Sequence, residues 1–296
     1  MSEDIRAARP SAERLLNFGC GATFHPDWTN LDASPVSPGV IAHDVRRGFP
    51  YSESAFDAVY GSHVLEHLEP EVAMRLLREC FRILKPGGIV RIVVPDLEVI
   101  ARLYLQSLEG AVRKDAESVS RYDWIMLELY DQAVRTRTGG YMGAYLRSAL
   151  SDAQAQFAAS RVGVEAMGHV AGNMQRFSAL PRMVRRLRSA ISSVRNLAAE
   201  ACAFVFLGPE GRAALREGTF RRRGEIHQWM YDRFSLVRAL EQAGFTAARV
   251  CAADESHISG FSGFGLETAN GQARKPDSLY VEARKPRLTR GIADPR

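Results

Sequence analysis

The segment that most constrains this 296-residue chain runs from Phe56 to Asp96 and reads strand, helix, strand. FDAVY at its start and IVRIVV at its end are short and apolar, bounded by Ser, Gly and Pro as buried strands are. Between them Pro70 suits a first helical turn. Val72, Leu76, Leu77, Cys80 and Leu84 then fall on one helical face, and Lys85-Pro86-Gly87-Gly88 stops the helix. Two strands joined through a helix lie parallel with a right-handed crossover, so the chain builds a parallel sheet with helices on its faces.

Further strands are expected at 15–18, 28–31 and 40–42, with 56–60 and 89–94 as the pair just described. Residues 101–225 differ: helical periodicity dominates, strand signals vanish, and Gly139, Gly140 and Gly143 mark turns or a mobile part of TGGYMGAYL. The α/β pattern then returns. Asp232 or Ser235 caps a helix carrying Leu236, Leu240 and Ala243, Gly244 closes it, and strands follow at 247–252 and 279–283. The expected organisation is a core of residues 1–100 and 226–285, a helical insertion over 101–225 after the fifth strand, and a flexible tail over 286–296. Hydrophobic content of 46% and charged content of 25% are ordinary for a globular chain and exclude long disorder.

The stretch LLNFGCGATFHPDWTNLD (15–32) carries the first chemistry. Gly19 and Gly21 follow an apolar strand directly, where absence of a Cβ permits a sharp turn and close approach of a ligand. A lone G-x-G also describes an ordinary turn. Here Asp32 ends the second strand, Asp44 follows the third in IAHDV, and Gly61, Ser62 and His63 end the fourth. All fall on the carboxyl edge of one sheet, the edge at which doubly wound folds bind ligands.

On these residues the chain resembles the class I S-adenosylmethionine-dependent methyltransferases, of the type 11-like kind and a bacterial subgroup with a shortened first helix. The likeness rests on LLNFGCG (15–21), NLD (30–32), HDV (43–45), FPYSESAFDAVYGSHVLEHL (49–68), LLRECFRILKPGGIVRIVVPD (76–96) and FSLVRALEQAGF (234–245). It implies an α/β, Rossmann-like sheet, mostly parallel with the last strand antiparallel. It also implies S-adenosyl-L-methionine as cofactor and S-adenosyl-L-homocysteine as product. The residues expected at the cofactor are Asn17, Phe18, Gly19, Cys20, Gly21, His25, Asp32, Asp44, Val45, Ser62 and His63. Among them Gly19 and Gly21 approach the methionine part, Asp32 takes the ribose, and Asp44 with Val45 frames the adenine. Two features depart from the pattern. Asn17 stands where the family has an acid, and 22–27 is too short for a helix at 1.5 Å per residue. The loop must then act locally, which brings His25 and Trp28 near the methionine.

Candidates for catalysis are His63, His67, His227, Tyr231 and Asp96. His63, Glu66 and His67 are spaced i, i+3, i+4, one face of a short helix, and form a candidate metal set. The resemblance favours no metal, because V-L-E-H-L is shared with metal-free relatives. In GEIHQWMYDRF, His227 is a candidate general base, with Trp229 and Tyr231 as an aromatic wall. The competing reading makes the aromatics core and the polar residues caps. Asp96 is read first as a helix cap and second as a catalytic carboxylate.

Net charge of +5 and pI ≈ 9.2 give a mild basic excess, concentrated in Arg182, Arg185, Arg186, Arg188, Arg195, Arg212, Arg216 and Arg221–Arg223. A solvated surface is the first reading, an anionic acceptor the second, and peripheral membrane contact by the amphipathic 184–207 the third. Nucleic acid is excluded by the absence of a basic stripe with stacking aromatics and of an N-P-P-[YF] motif. Widely spaced Cys20, Cys80, Cys202 and Cys251 point to a reducing compartment. MSEDIRAARP lacks a signal-peptide core, and the longest apolar run, 198–207, is too short to span a bilayer. A soluble, cytoplasmic methyltransferase is expected, acting in line on an oxygen, ahead of nitrogen, of a small-molecule or glycan acceptor. The alternative is a cofactor-binding scaffold that has lost turnover.

Overall fold

A computed structural model describes residues 13–163, 182–222 and 224–287. Nine strands form: β1 (Leu15–Phe18), β2 (Thr29–Asp32), β3 (Val40–Ala42), β4 (Phe56–Ser62), β5 (Leu84–Pro95), β6 (Thr246–Cys251), the hairpin β7 (Thr268–Ala269) and β8 (Gln272–Ala273), and β9 (Ser278–Arg284). Seven make one sheet in the order β3-β2-β1-β4-β5-β9-β6. The ladders from β3 to β5 are parallel, and β9 runs antiparallel to both its neighbours, β5 and β6. Strand order reverses between β1 and β4, which opens a crevice at their carboxyl ends.

The helix read from Pro70 is α1 (Pro70–Ile83), with Ala73, Leu76, Leu77, Cys80 and Ile83 buried. It ends two residues before the Lys-Pro-Gly-Gly stretch, and β5 starts at Leu84 because Leu84 already pairs with Phe56. From the end of β5 come α2 (Leu97–Val112), α3 (Ala116–Met126), α4 (Gln132–Val134), α5 (Gly140–Leu146), α6 (Asp152–Val162) and α7 (Arg182–Arg221). TGGYMGAYL forms α5, docked on Asp131, whose carboxylate accepts the Tyr141 and Met142 amides at 2.7 and 3.2 Å. Gly140 permits this approach, since a Cβ there would lie 2.2 Å from an Asp131 oxygen. The path of α7 breaks at Gly208 (φ 69) before Pro209, and Glu200 receives Arg212 and Arg216 across the break. These arginines are therefore paired, and Phe204, Val205, Phe206 and Leu207 stand exposed at the bend. Side chains of Arg182, Arg185, Arg186 and Arg188, all of Arg223, and the tail beyond 287 lie outside the described residues. Among the described residues no helix is long and apolar enough to cross a membrane.

One face of the sheet packs under α1 and α8 (Arg233–Gln242), through Leu76, Cys80, Leu236 and Leu240 against Phe56, Val90 and Ile92. The other face has no helix between β1 and β2 to cover it. Trp28 and the excursion between β6 and β9 take that place: Ile258, Phe261 and Leu266 pack on Leu15, Ala58, Tyr60 and Val93. The Trp28 ring meets Tyr60, Phe261 and Phe264 edge-on at centroid distances of 5.9, 6.1 and 5.5 Å. Arg91 on β5 pins the start of the excursion. Fully buried, it donates to Glu282 Oε1 (3.0 Å) and to the Ala252, Ala253 and Glu255 carbonyls (3.0, 3.3 and 2.8 Å).

A buried charge left without its partner costs about 3–5 kcal/mol. Arg91→Ala is accordingly expected to lose stability on that order in urea denaturation, with Glu282 stranded in the sheet.

Candidate functional site

A cavity of about 480 Å³ opens at the carboxyl ends of β1 and β4, in the range of small-ligand sites. The loop after β1 contributes Asn17, Gly19, Cys20, Gly21, Ala22 and Thr23; the end of β4 contributes Tyr60, Ser62 and His63. Gln132, Met142 and Val162 close it from the helical region, His227 from the segment before α8, and Leu266, Glu267, Arg274, Lys275 and Asp277 from the excursion. A larger cleft of about 700 Å³ between α3 and α6 lies away from the strand ends, lined only by those two helices and Ser151.

The shortened loop is held by side chains. Asp32 Oδ2 accepts the Gly21 amide at 2.9 Å and Oδ1 the Ser34 amide at 2.7 Å. Asn17 donates to the Thr23 carbonyl and to Asn30 Oδ1, both at 3.2 Å, which leaves its buried Oδ1 without a partner. Gly19 and Gly21 take φ of +63° and +54°. A Cβ on Gly19 would strike Val64 at 2.2 Å, whereas nothing lies within 4 Å of one on Gly21. Backbone that turns left-handed twice, open space at Gly21 and an orphaned acceptor on Asn17 together fit the methionine end of S-adenosylmethionine.

Of the other expected cofactor residues, Cys20, Ser62 and His63 line the cavity, and burial pushes the Cys20 thiol up to about 12. The remaining expected residues have packing partners of their own. Phe18 points into the core, where its ring fills the space a Gly61 side chain would need. His25 turns onto Phe264 (4.9 Å) and Trp28 is buried, so both brace the loop from behind. Asp44 caps the turn Val45–Arg47 and both its oxygens are engaged by Arg46, which holds the carboxyl below its ordinary range. Val45 packs against the core.

The catalytic candidates divide similarly. Asp96 caps α2 through the Val99 amide (3.1 Å) and lies outside the cavity lining, as the first reading had it. Tyr231 is core, its hydroxyl pushed up to about 12 by burial and Glu66, while Trp229 is half exposed; no aromatic wall forms. The reason is local. The Gln228 and Trp229 amides both bond the Glu66 carbonyl (2.7 and 3.2 Å), so the segment bends and does not alternate. The same strap brings His227 beside Glu66 and His67.

His63, Glu66 and His67 do not share a helix face. His63 follows β4 directly at φ +53°, a strained position for a side-chain-bearing residue, and only Leu65–His67 forms a 3-10 turn. Its Nε2 lies 2.8 Å from Ser278 Oγ, and its Nδ1 3.2 Å from Glu66 Oε1. Glu66 is fully buried; burial opposes its charge, but His63, His67 and His227 together outweigh this and hold the carboxyl at about 2. His227 is driven down to about 3 by burial and stays neutral at ordinary pH.

Sequence reasoning missed Glu267. Burial raises its carboxyl to about 7, opposed chiefly by the Tyr60 hydroxyl, and its Oε1 has no hydrogen-bond partner. It lies in a glycine-rich stretch without periodicity, and only a tertiary contact reveals it.

Residues 16–92 match a family model described as a methyltransferase domain. Together with the strand order above, this match gives the core the fold of the class I S-adenosylmethionine-dependent methyltransferases, whose cofactor is S-adenosylmethionine. No curated protein matches the chain significantly. Among solved structures, the [4+2]-cyclase SpnF is 27% identical over 28% of this chain and 39% of its own, at a TM-score of 0.23. A 1,6-didemethyltoxoflavin-N1-methyltransferase from Burkholderia thailandensis, solved with S-adenosylhomocysteine, is 20% identical over 28% of this chain and 45% of its own (TM-score 0.25). A methyltransferase from Archaeoglobus fulgidus is 12% identical over 93% and 86% (TM-score 0.34). The first two overlaps span less than two thirds of those proteins' own length, and the fold assignment rests on this chain's topology and the match over 16–92.

Hydrogen bonds to a charged group contribute about 1.5–3 kcal/mol. Asp32→Ala should therefore weaken S-adenosylhomocysteine binding about 10- to 100-fold by isothermal titration, since it also frees the Gly21 amide.

Proposed function

We propose that the chain transfers a methyl group from S-adenosylmethionine to an oxygen, ahead of nitrogen, of a small-molecule or glycan acceptor, with Glu267 as the general base. The observation that carries this reading is a buried carboxyl, poised near neutrality, in the same cavity as the glycine loop. S-adenosylmethionine supplies a methyl group on a sulfonium, open to in-line attack by an aligned nucleophile. The chain's own part is alignment, dryness and proton removal. Asn17 Oδ1 accepts from the cofactor's ammonium end, and Asp32, which keeps a lone pair on each oxygen, takes the ribose. Leu266, Met142 and Val162 bound the cavity with apolar surface that excludes water. Glu267 removes the hydroxyl proton as the new bond forms, a step an alcohol requires and an amine does not. The insertion spanning 101–225 serves as the acceptor lid, and the free cysteines fit a cytoplasmic setting.

Two measurements test this. Isothermal titration with S-adenosylmethionine should show binding; none at millimolar cofactor overturns the enzyme reading, and binding without labelled-methyl transfer to any small-molecule or glycan pool points to the scaffold. With an acceptor in hand, kcat/KM should fall as pH drops below about 7, where Glu267 is protonated. Glu267→Gln should erase that limb and lower kcat about 10²- to 10⁴-fold, with cofactor affinity nearly unchanged. Its stability carries a matching sign. A carboxyl raised from 4.5 to about 7 on folding favours the fold below 4.5 and ceases to do so as pH rises through 7. The Gln variant should thus gain Tm over the parent above pH 7 and not below it.

A further inference from the structure

The two arms of α7 fold back on each other as a hairpin. Glu200 and Arg216 would stand about 24 Å apart along an unbroken helix. Their side chains instead meet at 2.6 Å, and Arg212 reaches the same carboxylate at 3.3 Å. Gly208 makes the reversal, and Gly211 lets the return arm start flush against Leu207, where a Cβ would lie 2.2 Å from the Leu207 Cβ. Polar groups turn inward: Asn196 and Glu200 share a groove with Arg216 and Thr219 between the arms. Apolar groups turn outward. Val194 and Leu197 are exposed, and Val205 and Phe204 repeat their positions further along the same face to within about 20°. At the tip the exposure goes all the way round. Phe204, Val205, Phe206 and Leu207 are 48, 74, 82 and 69% exposed, and four successive helical residues sweep about 300° of arc.

Large apolar side chains in a row are costly in water, the more so where they point in every direction. A protein surface covers one side of such a tip. The tip exposes on the order of 500 Å², short of the ~800 Å² that each partner gives to a stable protein interface. A bilayer covers it from all sides. Charge agrees with lipid: residues 182–222 carry nine arginines against three glutamates, with no lysine or aspartate. The two guanidiniums nearest the tip, Arg212 and Arg216, share a single carboxylate and keep a net positive charge there. We propose that the hairpin 194–216 is an interfacial anchor, which inserts Phe204–Leu207 among the acyl chains of an anionic bilayer while its arginines meet the lipid phosphates. The arm 194–207 is about 21 Å long, shorter than the ~30 Å hydrocarbon core, so the hairpin seats in one leaflet and does not span it. Its return arm leads through buried Phe220 to Glu225, whose carboxylate accepts the Gly139 amide at 2.9 Å, and on to His227 in the cavity wall. Docking of the tip therefore carries the cavity to the membrane surface.

The test needs no activity. Full-length protein is sedimented with vesicles of phosphatidylcholine alone and of phosphatidylcholine with about 30 mol% phosphatidylglycerol. Affinity for the anionic vesicles should be at least about 10-fold higher, and salt at about 0.5 M should remove most of that difference. In Val205→Trp, the added indole emission should move to shorter wavelength on binding and be quenched by bromines placed high on the acyl chains. Phe204→Ser combined with Phe206→Ser should weaken binding at least about 10-fold while keeping the circular dichroism and Tm of the parent, because neither side chain is buried. Should the pair fail to fold, Phe206→Asp, at the most exposed of the four, gives the same comparison. Ile41→Ser, exposed on the edge strand β3, should leave binding unchanged. No sedimentation at about 1 mM anionic lipid, equal binding to both vesicle types, or binding indifferent to the tip variants overturns the anchor. A dimer that the tip variants dissociate, without affinity for lipid, assigns the tip to a second copy of the chain and overturns it as well. None of these readouts involves S-adenosylmethionine or methyl transfer, so the anchor and the proposed reaction stand or fall separately.

Discussion

The fold depends on an arginine in the middle of a sheet. Arg91 and Glu282 face each other across the β5–β9 ladder, both almost completely buried, and the guanidinium also collects three carbonyls from residues 252–255. Its plane lies over Phe261 and Tyr280, at 4.7 and 5.4 Å from their centroids. One side chain thereby satisfies the turn leaving β6, fixes where the excursion sets out, and supplies an aromatic contact for the residues that follow. Glu282 is satisfied in turn by the Ser256 hydroxyl and the His257 amide. Without this clamp nothing directs Phe261 and Leu266 onto the sheet face that lacks a helix.

The cofactor edge follows from that substitution of loop for helix. In a longer β1–β2 connection, a helix would hold the glycine turn from behind. Here the turn is tied by Asp32 and Asn17 and braced by His25 and Trp28, which are themselves packed on Phe264. The excursion that covers the sheet goes on to deliver Glu267 to the cavity, over Tyr60, whose main chain pairs with Asn17. Asn17, in place of an acid, and Glu267, an acid where none was expected, thus occupy one side of one cavity.

Much of the sheet was legible because its strands are apolar runs bounded by Gly, Pro and Asp, and 15–18 and 40–42 emerge at the expected residues. Both caps read from sequence, Asp96 and Asp232, also stand, since a cap needs only its own following turn. What stayed hidden depends on partners distant in sequence or on local bends. Asp44 is closed by Arg46 through a side-chain fork that no periodicity reports. Trp229 and Tyr231 are separated by a bend made at the Glu66 carbonyl, and the strap that makes it sets His227 beside Glu66. Arg91 was itself a visible clue: a charge inside IVRIVV needs an opposite charge in the next strand, and Glu282 in YVEAR supplies it.

The aromatic excursion has a consequence for how such chains can vary. Ile258, Phe261 and Leu266 cover the sheet face beside the short β1–β2 loop, and a helix inserted in that loop would compete with them for it. A lineage that regained the helix would have to displace Phe261 and Leu266, and with them the neighbouring Glu267. Architecture at one end of the chain and the lining of the cavity at the other would then be inherited together or lost together.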